Sequence, residues 1–147
     1  IPLVEMISQL RAITGDLPIN ISEFGWPAWS TITQADQSDF FERAALLAMT
    51  QEVTDVCWYT IWDEEDPEGN PEHAFGLLDN TGELKPVGNT FISLGERVTL
   101  SGGAGLIEGL PTGSYGVDLG AGGLALWGEG EQCEVSLGSQ PVWFNAP

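Results

Sequence analysis

Apolar side chains recur at two different spacings over the first hundred residues of the chain. A spacing of three to four residues, typical of a helix that packs on one face, recurs in residues 3–13, 34–54 and 86–96. Two shorter runs lie between them, Ile19–Phe24 and Asp55–Trp62, and the second is rich in aromatic and β-branched residues with no polar face. We predict that both are strands and that the second is buried on both sides. This alternation of helices and strands predicts an α/β architecture with parallel strands.

The ends of the three helical segments carry residues that favour helix termini. Gly15 follows the first segment, where glycine commonly caps a helix C-terminus. Thr33 or Asp36 can cap the start of the second, and Pro86 suits the first turn of the third.

The pattern changes at about Val98. Residues 101–139 are dense in glycine, and short apolar runs occupy residues 123–127, 133–137 and 141–144. Short strands separated by glycine turns predict a small antiparallel β module. We therefore divide the chain into an α/β unit, residues 1–97, and a β-sandwich-like module, residues 98–147.

The composition narrows the classes of partner. Asp and Glu number 22 against four Lys and Arg, a formal net charge of −18 that would repel the phosphates of nucleic acid. The acidic residues are mostly scattered, which favours a secreted or salt-adapted surface over a cation-binding one.

No apolar run approaches the roughly 20 residues that span a bilayer. A single histidine, His73, leaves little for a histidine-based metal cluster or a Ser-His-Asp triad.

The two cysteines, Cys57 and Cys133, make neither a disulfide framework nor a zinc-binding spacing. Cys57 lies in the apolar run, so we predict a small buried thiol, with a long-range bridge as the alternative.

A glutamate stands where the first predicted strand stops. In parallel α/β folds the loops at the carboxyl ends of strands form the ligand site, and Glu23 lies at such an end. Trp26 and Trp29 follow it, while Trp62 and Asp63 hold the equivalent place after the next strand. Carboxylates beside aromatic rings suit sugar chemistry. The alternative is a glutamate that caps a loop or pairs with an arginine.

Several segments together resemble the clan A glycoside hydrolases related to families 5 and 39. Glu23 lies in a segment similar to the seventh strand of their (β/α)₈ barrel, a Thr/Ser-Glu-x-Gly-Trp/Tyr pattern. The matching segments, in chain order, are Ile21–Trp26, Gln34–Ala35, Cys57–Asp63, Phe75–Leu78 and Lys85–Pro86. More loosely, 126–127 and 141–144 resemble strands of the β-sandwich that follows the barrel in several of these families. The resemblance implies strands 7 and 8 of a TIM barrel with their helices, followed by the β module.

The resemblance implies a function with a missing half. Glu23 would be the nucleophile of a retaining glycosidase that needs no cofactor, with Trp26, Tyr59, Trp62 and Asp63 binding substrate. The general acid/base of this clan lies in an Asn-Glu pair on the fourth strand, and the chain contains no such pair. We therefore expect an N-terminal barrel portion, in the same protein or as a separate chain, to supply it, and no activity from this chain alone. The alternative is a non-catalytic carbohydrate-binding or structural component of an extracellular assembly.

Other candidate sites are weaker. The acidic loop at 63–73 begins like an EF-hand, but the position of the bidentate glutamate falls on Phe75, so we predict a solvated loop and no metal. His73 is predicted to be an ordinary surface residue. Trp58, Trp127 and Trp143 are predicted to fill the core.

Overall fold

The computed structural model describes residues 2–66, 69–128 and 142–144. The described residues form three helices, α1 to α3, and six strands, β1 to β6, together with two single-turn 3₁₀ helices at Pro71–His73 and Gly120–Gly122. In chain order the helices and strands are α1 Pro2–Thr14, β1 Ile19–Phe24, α2 Gln34–Thr50, β2 Val53–Trp58, α3 Pro86–Leu100, β3 Gly105–Leu106, β4 Ser114–Asp118, β5 Leu124–Gly128 and β6 Val142–Phe144.

Strands β1 and β2 pair in parallel, as the alternating pattern predicts. Helices α1 and α2 cover one face of the pair, where Ile7 and Ala48 pack against Ile19. Because the strands are parallel, their carboxyl ends, and the loops that follow them, meet at the same edge.

Helix α2 begins at a capping box that uses both of the predicted residues. The Thr33 hydroxyl accepts from the Asp36 amide at 3.1 Å, and the Asp36 carboxylate accepts from the Thr33 amide at 2.9 Å. The helix ends at Thr50, four residues before the predicted boundary, because Glu52 adopts a positive φ and the chain enters β2 at Val53.

The second strand is shorter than predicted and open on one face, so both parts of that prediction are wrong. It ends at Trp58, and residues 60–63 pair instead with residues 75–78. Trp58 is half-buried against the core, as predicted, but the prediction of a buried Cys57 is wrong because its side chain is exposed. Among the described residues, helices cover only the face that carries Val56 and Trp58.

The β module forms an antiparallel sheet in the order β3-β4-β5-β6, as the glycine-separated runs predict. The predicted strand at 133–137, with Cys133, lies outside the described residues. Trp127 is buried in the core as predicted, and Trp143 is half-buried against it.

One hydrophobic core connects the helices to the β module. Leu46 of α2 and Leu94 of α3 belong to the same buried cluster as Val117 and Trp127 of the antiparallel sheet. The boundary proposed after residue 97 falls within α3, which runs on to Leu100. Among the described residues, no helix combines the length and hydropathy needed to cross a membrane.

Candidate active site

A β-bulge sets the position of Glu23 at the end of β1. Ile21 pairs with Val56 and Phe24 with Trp58, so two residues of β1, Ser22 and Glu23, lie opposite the single residue between them on β2. Such a bulge shifts the side-chain alternation by one residue. Phe24 can therefore pack against the core on the helix side, while Glu23 is exposed.

Glu23 lines an open cavity of about 390 Å³. The other residues of this cavity come from the loops that follow both parallel strands, and they are Phe24, Gly25, Tyr59, Glu72 and Phe75. We call it the Glu23 cavity. The structure therefore brings two of the predicted site residues, Glu23 and Tyr59, into one place.

The aromatic wall of the Glu23 cavity is fixed by the backbone. The Tyr59 amide donates to the Phe24 carbonyl at 2.9 Å, which continues the pairing of the two strands by one residue. The rings of Tyr59 and Phe75 meet edge to face with centroids 5.4 Å apart. Aromatic surface beside a carboxylate can hold the apolar face of a sugar ring next to a nucleophile.

Trp26 lies away from the Glu23 cavity. Its ring packs edge to face on Phe24, with centroids 4.8 Å apart, and tilts against Phe40 at 5.6 Å. It lines a separate, mostly apolar cavity of about 460 Å³, which also contains Tyr115 and Trp127 of the β module.

Trp62 also stands apart from Glu23. Its side chain is 60% exposed, and it lines a third cavity of about 270 Å³ with Asp63 and the turn at 79–82. An exposed indole is a suitable platform for a sugar ring, but at a distinct location.

Asp63 is buried, and its carboxylate is already occupied. Both of its oxygens lie 2.9 Å from the ammonium nitrogen of Lys85, and one also accepts from the Gly76 amide at 2.7 Å. Only 8% of Asp63 is exposed. This position differs from the direct substrate contact that the resemblance implies for Asp63.

Neither Glu72 nor Lys85 was predicted from the sequence as a site residue. Glu72 enters the Glu23 cavity from the 3₁₀ turn of the acidic loop, and no spacing in the sequence indicates this approach. A signal did exist for Lys85, because the sole lysine of an acidic chain directly precedes a helix-starting proline.

The basic residues of the chain are engaged away from the Glu23 cavity. Arg11 donates to the carbonyls of Leu17, Gln51 and Glu52. The other basic side chains are Arg43, Arg97 and Lys85. Each of the two arginines lies over an aromatic ring and donates to a backbone carbonyl, and Lys85 pairs with Asp63. In the part of the chain that the structure describes, no basic side chain lines the Glu23 cavity.

His73 is a half-buried residue and not the free surface residue predicted from sequence. Its Nε2 lies 3.3 Å from a Glu64 oxygen and 3.2 Å from the Asn70 amide nitrogen. No three histidine, cysteine or acidic side chains within residues 2–66, 69–128 and 142–144 converge to hold a metal ion.

Known structures share this fold over part of their length. A family 39 glycoside hydrolase from Bacteroides cellulosilyticus WH2 matches 86% of this chain with a TM-score of 0.64 and 22% identity, over 27% of its own chain. A GH5_18 protein from Bifidobacterium longum subsp. longum ATCC 55813, solved as a point variant in complex with Manβ1-4GlcNAc, matches 65% of this chain at 26% identity and a TM-score of 0.54, over 24% of its own. A point variant of GH5_18 from Streptomyces cattleya, also in complex with Manβ1-4GlcNAc, matches 65% of this chain and 25% of its own chain. The identity is 20% and the TM-score 0.54.

The solved relatives are glycoside hydrolases of families 39 and 5, the group that the sequence segments resemble. They are TIM-barrel enzymes, and this chain spans about a quarter of their length. No family model matches the chain, and neither does any curated protein.

Proposed function

We propose that this chain carries the nucleophile of a retaining glycoside hydrolase, and that the nucleophile is Glu23. One observation carries the proposal: a bulge exposes this carboxylate at the carboxyl edge of two parallel strands, in one cavity with Tyr59. The edge corresponds to the ligand-binding edge of a (β/α)₈ barrel. Strands β1 and β2 are assigned as the seventh and eighth barrel strands, which agrees with the fold of the related hydrolases.

The chemistry requires a second carboxyl group. In a retaining enzyme the nucleophile attacks the anomeric carbon while an acid about 5 Å away protonates the leaving oxygen. Water then hydrolyses the glycosyl-enzyme ester with the same acid acting as base. We assign that group to the remaining barrel segment, because the solved relatives are about four times longer than the part they share with this chain.

The proposed substrate contacts divide by the cavity that each residue lines. Tyr59 contacts the sugar that undergoes cleavage, since its ring shares the Glu23 cavity. Trp62 and Trp26 serve sugars bound farther away, Trp62 through its exposed indole. Asp63 contributes through the loop that it anchors, because Lys85 and Gly76 occupy its carboxylate. The net charge of −18 agrees with an extracellular glycan as substrate.

The remaining barrel segment is the partner that this proposal requires. In the part of the chain that the structure describes, β1 and β2 form a two-stranded parallel sheet that helices cover on one face only. The other face carries Asn20, Asp55 and Cys57, all exposed, with the Asn20 amide 2.9 Å from an Asp55 oxygen. Further strands of a barrel would pair with the free edges and enclose this face.

Covalent trapping tests the nucleophile. The chain, assembled with the remaining barrel segment, is incubated with 2-deoxy-2-fluoro glycosides that carry an activated leaving group, and intact mass is measured. The panel includes mannosides because two of the related structures contain Manβ1-4GlcNAc. We expect one fluoroglycosyl group on Glu23, located by peptide mapping.

Matched variants complete the test. Glu23→Gln should abolish both labelling and turnover of aryl glycosides, whereas Glu96→Gln, which removes the same charge from an exposed position on α3, should preserve them. Turnover in Glu23→Gln equal to that of the parent would end the assignment. Saturable glycan binding without turnover in every protein of the series would support the non-catalytic function instead.

A further inference from the structure

A backbone segment, residues 74–77, connects the loops around the Glu23 cavity. Its Ala74 and Gly76 are buried, and its Phe75 and Leu77 are half-buried. The Ala74 carbonyl accepts three hydrogen bonds, from the Ala28 amide at 3.0 Å, the Gln37 side chain at 3.1 Å and Lys85 Nζ at 3.2 Å. One carbonyl thus connects the loop after β1, the start of α2 and the start of α3.

The next carbonyl connects the same segment to the end of β2. Phe75 accepts from the Trp58 indole nitrogen at 3.0 Å and from the Thr60 amide at 3.4 Å, while the Leu77 amide donates to the Thr60 carbonyl at 3.1 Å. The side chain between these bonds, Phe75, forms a wall of the Glu23 cavity and contacts Tyr59 edge to face. The position of segment 74–77 therefore sets where the Phe75 and Tyr59 rings lie.

An ion pair holds the segment through hydrogen bonds to its Ala74 carbonyl and its Gly76 amide. Lys85 is 3% exposed, and its ammonium group donates to both Asp63 oxygens, one of which also accepts from the Gly76 amide at 2.7 Å. Gly76 lies so close that a Cβ atom on it would be 2.2 Å from the Asp63 amide nitrogen. Burying a charge is costly unless it is paired and hydrogen-bonded, so removing either partner leaves the other charge buried and unpaired next to segment 74–77.

We propose that Lys85 and Asp63 are positioning residues for the Glu23 cavity. They hold segment 74–77 so that Phe75 and Tyr59 face the sugar next to the nucleophile, and neither residue contacts the substrate. The inference rests on the proposed function for its catalytic consequence. Its structural consequence, displacement of Tyr59 when the ion pair is broken, can be measured without any substrate.

The two tyrosines of the chain provide that measurement. Tyr59 lies in the Glu23 cavity, and Tyr115 stacks on Trp127 in the β module with ring centroids 5.9 Å apart. The chain is labelled with 3-fluorotyrosine, its ¹⁹F spectrum is recorded, and Tyr59→Phe assigns the two signals. We expect Lys85→Met and Asp63→Asn each to shift the Tyr59 signal by more than its linewidth while the Tyr115 signal keeps its position.

The double variant Asp63→Asn/Lys85→Met tests whether charge imbalance is the cause. It removes both charges and keeps an amide oxygen that can accept from Gly76, so the Tyr59 signal should return toward its original position. Glu96→Gln is the control for loss of one surface charge. An unmoved Tyr59 signal in both single variants would overturn the proposal, and so would equal shifts of both tyrosine signals, which indicate general loosening.

Turnover by the assembled barrel separates positioning from failure of the proposed function. The single variants should lower kcat by about 10- to 100-fold, as small displacements in an active site do, with KM changed much less. The double variant should recover part of the loss. If the parent protein turns over no glycoside, the nucleophile assignment falls, and the ¹⁹F result alone decides the positioning role.

Discussion

The loop after β1 requires a glycine at position 25. A Cβ atom at this position would lie 2.4 Å from the Tyr59 carbonyl oxygen and 3.1 Å from the Phe75 ring. Two backbones meet here without room for a side chain. The glycine therefore serves the cavity by allowing the loop after β1 to touch the loop after β2.

We expect Gly25→Ala to destabilise the protein by about 1–3 kcal/mol, since overpacking against backbone cannot be relieved by a rotamer change. Gly95→Ala is the matched control. It faces open space on α3, and alanine there should stabilise by about 0.5–1 kcal/mol through helix propensity. Urea unfolding measures both changes, and a neutral Gly25→Ala would show that the loops are not in tight contact.

Glu42 is a partly buried carboxylate that helix α2 places beside Trp143 of β6. The indole nitrogen of Trp143 donates to it at 2.8 Å, and Arg97 lies over the face of the same indole at 4.1 Å. Burial raises the pKa of Glu42 above its usual value, although the hydrogen bond from Trp143 opposes the shift. The folded state therefore holds this proton more tightly than the unfolded state does.

Stability should consequently fall as pH rises above the unfolded-state pKa of about 4.5 and through the higher folded-state pKa. At pH 7 we expect Glu42→Gln to raise the melting temperature by about 2–4 °C, because a neutral amide avoids the desolvation penalty and still accepts from Trp143. Below pH 4.5 the gain should vanish. A gain that is the same in acid and at neutral pH, measured beside Glu96→Gln, would contradict this account.

Among the helices and strands, local residues set where α2 and α3 begin, whereas tertiary contacts set where β2 ends. The capping residues Thr33 and Asp36, and Pro86 at the start of α3, act within a few residues, so the sequence reveals them. The end of β2 could not be predicted, because residues 60–63 pair with residues 75–78, which lie about fifteen positions later in the chain.

The capping box of α2 should respond to both mutation and pH. We expect Thr33→Ala to lower the melting temperature by about 2–4 °C at pH 7, since it leaves the Asp36 amide without its side-chain acceptor. Ser30→Ala, in the preceding exposed turn, is the control for loss of a hydroxyl.

The pH dependence follows from Asp36, whose pKa is lowered mainly by the hydrogen bond from the Thr33 side chain. A lowered folded-state pKa gives stability that is present above 3.8, the unfolded value, and lost as pH falls through the folded value. The difference between Thr33→Ala and the parent should therefore shrink in strong acid. A constant difference from neutral pH down to strong acid would show that the carboxylate takes no part.

At the scale of the whole molecule, the open face of the β1–β2 sheet is the feature that sets this chain apart from a closed domain. Cys57 lies on that face, exposed, between the core-facing Val56 and Trp58. If further barrel strands enclose the face, the thiol becomes inaccessible.

The rate of thiol labelling measures how accessible Cys57 is. In a Cys133→Ser background, a maleimide should modify Cys57 rapidly in the separate chain and at least about tenfold more slowly once the remaining barrel segment is bound, because burial restricts access to the thiolate. Ser22→Cys in a cysteine-free background tests a second position of the same face. Equal labelling rates with and without the segment would place the partner elsewhere.

The helices, the parallel pairing of β1 with β2, the antiparallel module and the resemblance to clan A hydrolases could all be predicted from the sequence. These depend on periodicity, caps and short segments that act locally. Tertiary structure decided which site residues meet. A bulge, invisible in the alternation of Ile19, Ile21 and Glu23, turns the glutamate away from the helices. Pairing across distant segments brings Glu72 to the cavity and buries Asp63 on Lys85, because such contacts depend on the path of the chain and not on spacing.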